Sequence, residues 1–153
     1  MQYYQADNYR AQDSIGYVVK RAHVVLIDRL EHTLQGSDLN FTQWVILMYL
    51  REGMALNATT LCSRLRYDSG ALTRVLDQLE ARDLIERERS REDRRAVQLH
   101  LTATGLSTVE ALIPRVVDSL NLALNGFSRA ETLKLIELLH RLIANCEAGQ
   151  VNP

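Results

Sequence analysis

Apolar positions along the chain follow two periods, and the change between them divides it. From Asp13 to about Gln35, Ile15, Val18, Val19, Ala22, Leu26 and Leu30 form one stripe at helical spacing. Val24, Val25 and Ile27 widen that stripe, so the predicted helix is gripped by more than one neighbour, and Gly36 is placed to end it. Leu39-Asn40-Phe41-Thr42-Gln43-Trp44 reads as a helix start, with Asn40 and Gln43 as a capping box and Leu39 against Trp44 as a hydrophobic staple. That helix runs to about Glu52 and stops at Gly53. Asn57 opens a short helix with Leu61, Cys62 and Leu65 on one face. Arg66-Tyr67 then turns the chain into Asp68, the N-cap of a helix carrying Leu72, Val75, Leu76 and Leu79. Two helices joined by so short a turn are a helix-turn-helix.

The period then shortens from helix to strand. Leu84 to Arg89 is a strand candidate, and Val97, Leu99 and Leu101 alternate with Gln98 and His100 as a half-buried strand does. Between them lies Ser90-Arg91-Glu92-Asp93-Arg94-Arg95, a polar hairpin tip. Thr102 caps a helix to about Asn125, with Pro114 inside it predicting a kink or the local loss of one hydrogen bond, and Gly126 ends it. Ser128 and Glu131 form a second capping box, opening a last helix through Leu133, Ile136, Leu139, Leu142 and Ile143. Residues 1–12, with three tyrosines and no period, read as a mobile arm.

The fold class predicted is mainly α with a small β-hairpin wing. A winged helix-turn-helix lobe occupies 40–102, and helices over 13–35 and 103–147 have broad apolar faces suited to a homodimer. A recognition-sized helix beside an arginine-tipped hairpin is a pair that docks on double-stranded DNA. Ser69, Gly70 and Ala71 are small and allow close approach, and Thr73, Arg74 and Arg64 lie within reach of bases or phosphates. Arg91, Arg94 and Arg95 suit phosphates or a narrow minor groove, with Asp93 holding Arg95 in place. Two copies would present two such helices to a palindromic operator.

Composition changes this picture in three ways. The 153-residue chain has a net charge of −1, so any DNA surface arises from local segregation of charge and not from overall basicity. Its 18 basic residues include only two lysines, Lys20 and Lys134, a bias that suits planar bidentate contacts. Hydrophobic residues make up 46%, enough for a packed core. Cys62 and Cys146 form no C-x-x-C pair, and no apolar run is long enough for a bilayer, so a cytoplasmic location and no membrane contact are expected. No phosphate loop, H-E-x-x-H or G-x-S-x-G is present, and His23, His32, His100 and His140 are scattered. The expectation is therefore no enzyme, no metal and no cofactor.

The run Leu79-Glu80-Ala81-Arg82-Asp83-Leu84-Ile85, then Asp93-Arg94-Arg95-Ala96 and Leu101-Thr102-Ala103-Thr104-Gly105, resembles the MarR family of bacterial transcription regulators. Element order extends the resemblance from about Asp13 to about Cys146. It implies a homodimeric winged-helix regulator, most often a repressor, whose effector is a small aromatic or phenolic acid. The implied effector pocket is lined by Trp44 and Met48, with Arg21 or His23 supplying polarity. Many relatives carry hydroxyl residues where this chain has Gly70 and Ala71, which moves base contact toward Ser69, Thr73 or the backbone. Two other readings remain: a winged helix that binds protein, and a regulator that senses oxidants through Cys62 or Cys146.

Overall fold

The computed structural model describes residues 3–54, 57–89 and 97–149. The chain divides into two compact units, Met1–Ser119 and Leu120–Pro153. After a 3-10 turn at Ala11–Asp13, the order is α1 (Ile15–Leu34), α2 (Phe41–Arg51), α3 (Ala58–Leu65), α4 (Ser69–Ala81), β1 (Ile85–Arg89), β2 (Val97–Leu101), α5 (Ala103–Ala123) and α6 (Arg129–Ala148). The wing-tip residues Arg91, Asp93, Arg94 and Arg95 lie outside the described residues.

Local signals account for each helix start. The Ser14 hydroxyl accepts from the Tyr17 N–H, and the side chains of Asn57 and Asp68 accept from Thr60 and Ala71. The Asn40–Gln43 and Ser128–Glu131 boxes are both closed in the two directions. Gly36, Gly53 and Gly126 follow helix ends at positive φ (84°, 65° and 89°), a backbone conformation that side chains resist. Arg66 takes the left-handed position in the α3–α4 turn, with φ 49°.

The core of the first unit lies where α1 to α4, the foot of the hairpin and α5 supply leucine. Leu34, Leu47, Leu61, Leu72, Leu79 and Leu99 are each at most 1% exposed. Gln43 and Ser119 are buried with partners: Gln43 donates to Gln78 (3.1 Å), and Ser119 accepts from the Thr33 hydroxyl (2.9 Å). Arg115 on α5 donates to the carbonyls of Thr33 and Gln35, which satisfies the end of α1 and sets a cation at its negative pole.

The hairpin is antiparallel, with Ile85 opposite Leu101 and Arg89 opposite Val97. Its inward alternation holds only at the foot. Ile85 and Leu99 are buried, Leu101 is half-buried, and Val97 is 44% exposed. The strands run outward past the helices, so Val97 has no core beneath it. At the foot, Asp83 adopts φ 55°, its carbonyl accepts from the Thr102 hydroxyl, and its carboxylate accepts from Thr104 (2.9 Å). A Cβ on Gly105 would stand 1.9 Å from the Leu84 carbonyl oxygen. The Leu101-Thr102-Ala103-Thr104-Gly105 pattern is therefore a packing device: hydroxyls tie the turn, and glycine lets α5 start against backbone.

One feature differs from the periodicity reading. The N-terminal segment folds back, and the Tyr4 hydroxyl accepts from the Ile15 N–H at the start of α1 (2.7 Å). Its ring meets Tyr3 and Tyr9 edge-on. In α5 the helix continues through Pro114, although proline has no N–H to offer the preceding turn. The apolar stripe of α1 is buried only at Leu30 and Leu34; Ile15, Val18, Val24, Val25 and Leu26 face outward. In the second unit α6 buries no residue, and Leu133, Ile136 and Ile143 are exposed. Among the described residues no helix is long and apolar enough to cross a membrane.

Candidate nucleic-acid interface

The start of α4 is built from small residues around one carboxylate. Asp68 accepts from the Ala71 N–H (2.9 Å), and its carbonyl accepts from Leu72 (2.9 Å). A Cβ on Gly70 would come 3.3 Å from the Asp68 carboxylate, so the absence of a side chain there leaves room for the cap. Ser69, Gly70, Thr73 and Arg74 are exposed and Ala71 is half-buried. The Thr73 hydroxyl donates back to the Ser69 carbonyl (2.8 Å), and Arg74 Nε donates to the Gly70 carbonyl (3.4 Å). The Asp68 carboxylate sits at the positive pole of the helix and offsets part of its charge. Arg64 lies exposed near the end of α3, one turn before the bend. Of the ten residues expected at the interface, the helix-turn-helix supplies six; the four of the wing tip are outside the described residues.

Three ties hold α4 in place, and none is visible in the periodicity. Arg87 on β1 bridges Asp77 (2.7 Å) and Glu80 on the outer side of α4, joining helix to wing and neutralising part of an acidic face. Arg82 donates to the Asp38 carbonyl (2.7 Å) in the loop between α1 and α2. Gln78, one turn earlier, accepts from Gln43 of α2. The only sequence signals were the acids at Asp77 and Glu80, three residues apart, and an arginine on the outer face of β1.

A cavity of ≈450 Å³ opens between α1, α2 and the α3–α4 turn. His23, Ile27 and Glu31 line it from α1, Phe41, Thr42 and Val45 from α2, and Arg64, Leu65 and Tyr67 from the turn region. Of the four residues expected to line a pocket, only His23 does so. Trp44 is 6% exposed and belongs to the core, Met48 is half-buried, and Arg21 is exposed; none of these three lines the cavity. The reason is helical geometry. Phe41 and Val45 are four apart and share a row, whereas Trp44 and Met48 form a different row. His23, Ile27 and Glu31 form the matching row on α1, a pattern readable in the sequence. Glu31 also accepts from the Phe41 N–H (2.8 Å), satisfying a donor at the start of α2.

Cys62 is half-buried and Cys146 exposed, both as free thiols. His100 Nε2 is buried, 4.0 Å from the Glu88 carboxylate. No group of three or more metal-ligating side chains occurs among the described residues.

Comparison with known proteins agrees with this geometry. The MarR family model matches residues 39–97. The HTH-type transcriptional regulator SarZ of Staphylococcus haemolyticus is 28% identical over 123 residues, 78% of this chain and 80% of that protein. SarZ of Staphylococcus aureus is 35% identical over 80 residues, so the chain spans only about half (54%) of that protein's length. Among solved structures, Bordetella bronchiseptica BpsR, described for regulation of DNA binding by 6-hydroxynicotinic acid, matches with TM-score 0.78 and 25% identity over 88% of this chain and 96% of that one. A mutant of MarR from E. coli complexed with operator DNA matches with TM-score 0.77 and 25% identity, over 88% of this chain and 99% of that one.

Proposed function

We propose that the chain is a transcription regulator of the MarR family, a ligand-responsive repressor acting as a cytoplasmic homodimer on a palindromic operator. The observation that carries this reading is the capped, small-residue start of α4, held to the wing strand by Arg87 and to α2 by Gln43. Ser69, Gly70, Thr73 and Arg74 meet the major groove, and Arg64 meets the backbone. Arg91, Arg94 and Arg95, with Asp93, are the residues assigned to the neighbouring groove. The outward apolar faces of α1 and α6 supply the surface a second copy covers. No catalytic role is assigned to any residue.

The effector is a small aromatic or phenolic acid in the ≈450 Å³ cavity, a volume within the range of small-ligand sites. Phe41 and Tyr67 offer rings, Ile27 and Leu65 offer apolar wall, and Arg64 offers a cation to an acid group. A ligand seated there acts only to the extent that it binds the DNA-competent and incompetent states differently.

Selecting bound sequences from a random duplex pool tests the reading. The expected product is a twofold-symmetric site whose affinity falls steeply with added salt through counterion release. Arg95→Ala should then weaken binding to that site by roughly 1–3 kcal/mol in a titration at fixed salt. A pool that yields no preferred sequence defeats the reading.

A further inference from the structure

Four hydrogen bonds, joined through the backbone of the first turn of α2, lead from the cavity wall to the recognition helix. Glu31, which lines the cavity, accepts from the Phe41 N–H at the first residue of α2 (2.8 Å). In the same turn Gln43 closes the capping box: its carbonyl oxygen accepts from the Asn40 N–H (3.2 Å), while its own N–H is held by Asn40 (2.9 Å). The amide nitrogen of Gln43 then donates to Gln78 on α4 (3.1 Å). Gln43 is 5% exposed, so both ends of its side chain are committed where water cannot replace a lost partner. Arg82, one turn beyond Gln78, grips the Asp38 carbonyl just before the box. The start of α2 is thus held on one side by a cavity carboxylate and on the other by two side chains from one face of α4.

We propose that Glu31 is the point at which an occupant of the cavity acts on α4. This rests on the cavity being the effector site, and it adds both the class of ligand group and the route. A ligand hydroxyl or ring N–H that draws the Glu31 carboxylate into the cavity takes its Oε1 away from the Phe41 N–H. The first turn of α2 then loses a partner, the Asn40–Gln43 box loosens, and Gln78 loses its fixed donor. The effector is therefore a donor-bearing aromatic acid: its hydroxyl or N–H meets Glu31, and its acid group meets the cationic side of the cavity. Coupling along this route is a free energy measurable from either end.

Amide hydrogen exchange on the full-length protein tests the route without DNA or ligand. Glu31→Ala should speed exchange at least threefold at Phe41 to Gln43 and also at the last turn of α4. Glu31→Gln, which keeps an acceptor oxygen, should leave both near wild type. Coupling is reciprocal, so Gln78→Ala, an exposed position, should speed exchange at Phe41 even if Glu31→Ala fails to fold. Unchanged Phe41 exchange in Gln78→Ala, or unchanged α4 exchange in a folded Glu31→Ala, overturns the proposal. On the selected operator, the double variant should bind no worse than the weaker single variant, whereas multiplied losses would mean independent sites. A wild-type protein that binds no duplex would defeat the proposed function and leave the exchange result standing, so the two failures are distinguishable.

Discussion

The winged-helix lobe and α6 are made from similar residues and end in opposite conditions. In the lobe, Leu61, Leu72, Leu76 and Leu79 are at most 2% exposed, and the buried Gln43 side chain donates to Gln78. In α6, leucine and isoleucine recur as regularly, yet Leu133 is 58% exposed, Ile143 52%, and none is buried. Both helices start from well-formed caps, so propensity and capping do not separate them. What separates them is the availability of a facing surface within one chain. The lobe closes its own core, while α6 and the outer side of α1 each leave apolar side chains exposed, which on the proposed function a second copy covers.

The comparison breaks most directly at Leu72. Leu72→Ala, at a fully enclosed site, should cost about 2–5 kcal/mol in denaturant unfolding, while the same truncation at Leu133 should cost far less at dilution. Gly105→Ala should cost roughly 1–3 kcal/mol or more, because the new methyl meets the Leu84 carbonyl and not a side chain that can move. Its unfolding midpoint should fall while far-ultraviolet dichroism stays helical. Ile136→Glu should leave the lobe's thermal transition alone and weaken self-association by tenfold or more, about 1.4 kcal/mol, in sedimentation. Equal self-association in that variant would remove α6 from the interface.

The smallest effect concerns acid. Hydrogen bonds from Ser128 hold the Glu131 carboxyl below its ordinary value of 4.5, and the Lys134 ammonium does the same for Glu137. Both groups bind protons less readily folded than unfolded. Their contribution is thus complete above pH 4.5 and is lost as pH falls through the lowered values. Both carboxyls are fully exposed, so the effect is slight. Glu131→Gln keeps the box and should flatten that part of the stability–pH curve. An unchanged slope would assign it to other carboxyls.

Helix starts and stops were legible in the sequence because their causes are local. Asn40 and Gln43, Ser128 and Glu131, Asp68, Gly36 and Gly126 each act within about one turn. The exposed α4 start was legible for the same reason. The ties that hold α4 were not, since Arg87, Arg82 and Gln43 each meet a partner set by tertiary packing; Gln43 and Gln78 are 35 residues apart. Of the residues expected at an effector pocket, His23 lines the cavity and Trp44, Met48 and Arg21 do not, because the spacing of a row on one helix does not say which row on the next helix faces it. Val97 was placed inward by alternation that cannot tell where a core ends.

The contact at Gly105 has a mechanical consequence. Where side chains mesh, neighbours can slide and re-seat; where a helix backbone rests on a carbonyl oxygen, there is no slack to take up. The head of α5 and the root of the hairpin are therefore held in direct backbone contact, with no side chain between them to absorb a shift. Glycine at this position makes a rigid pivot out of the residue type best known for looseness.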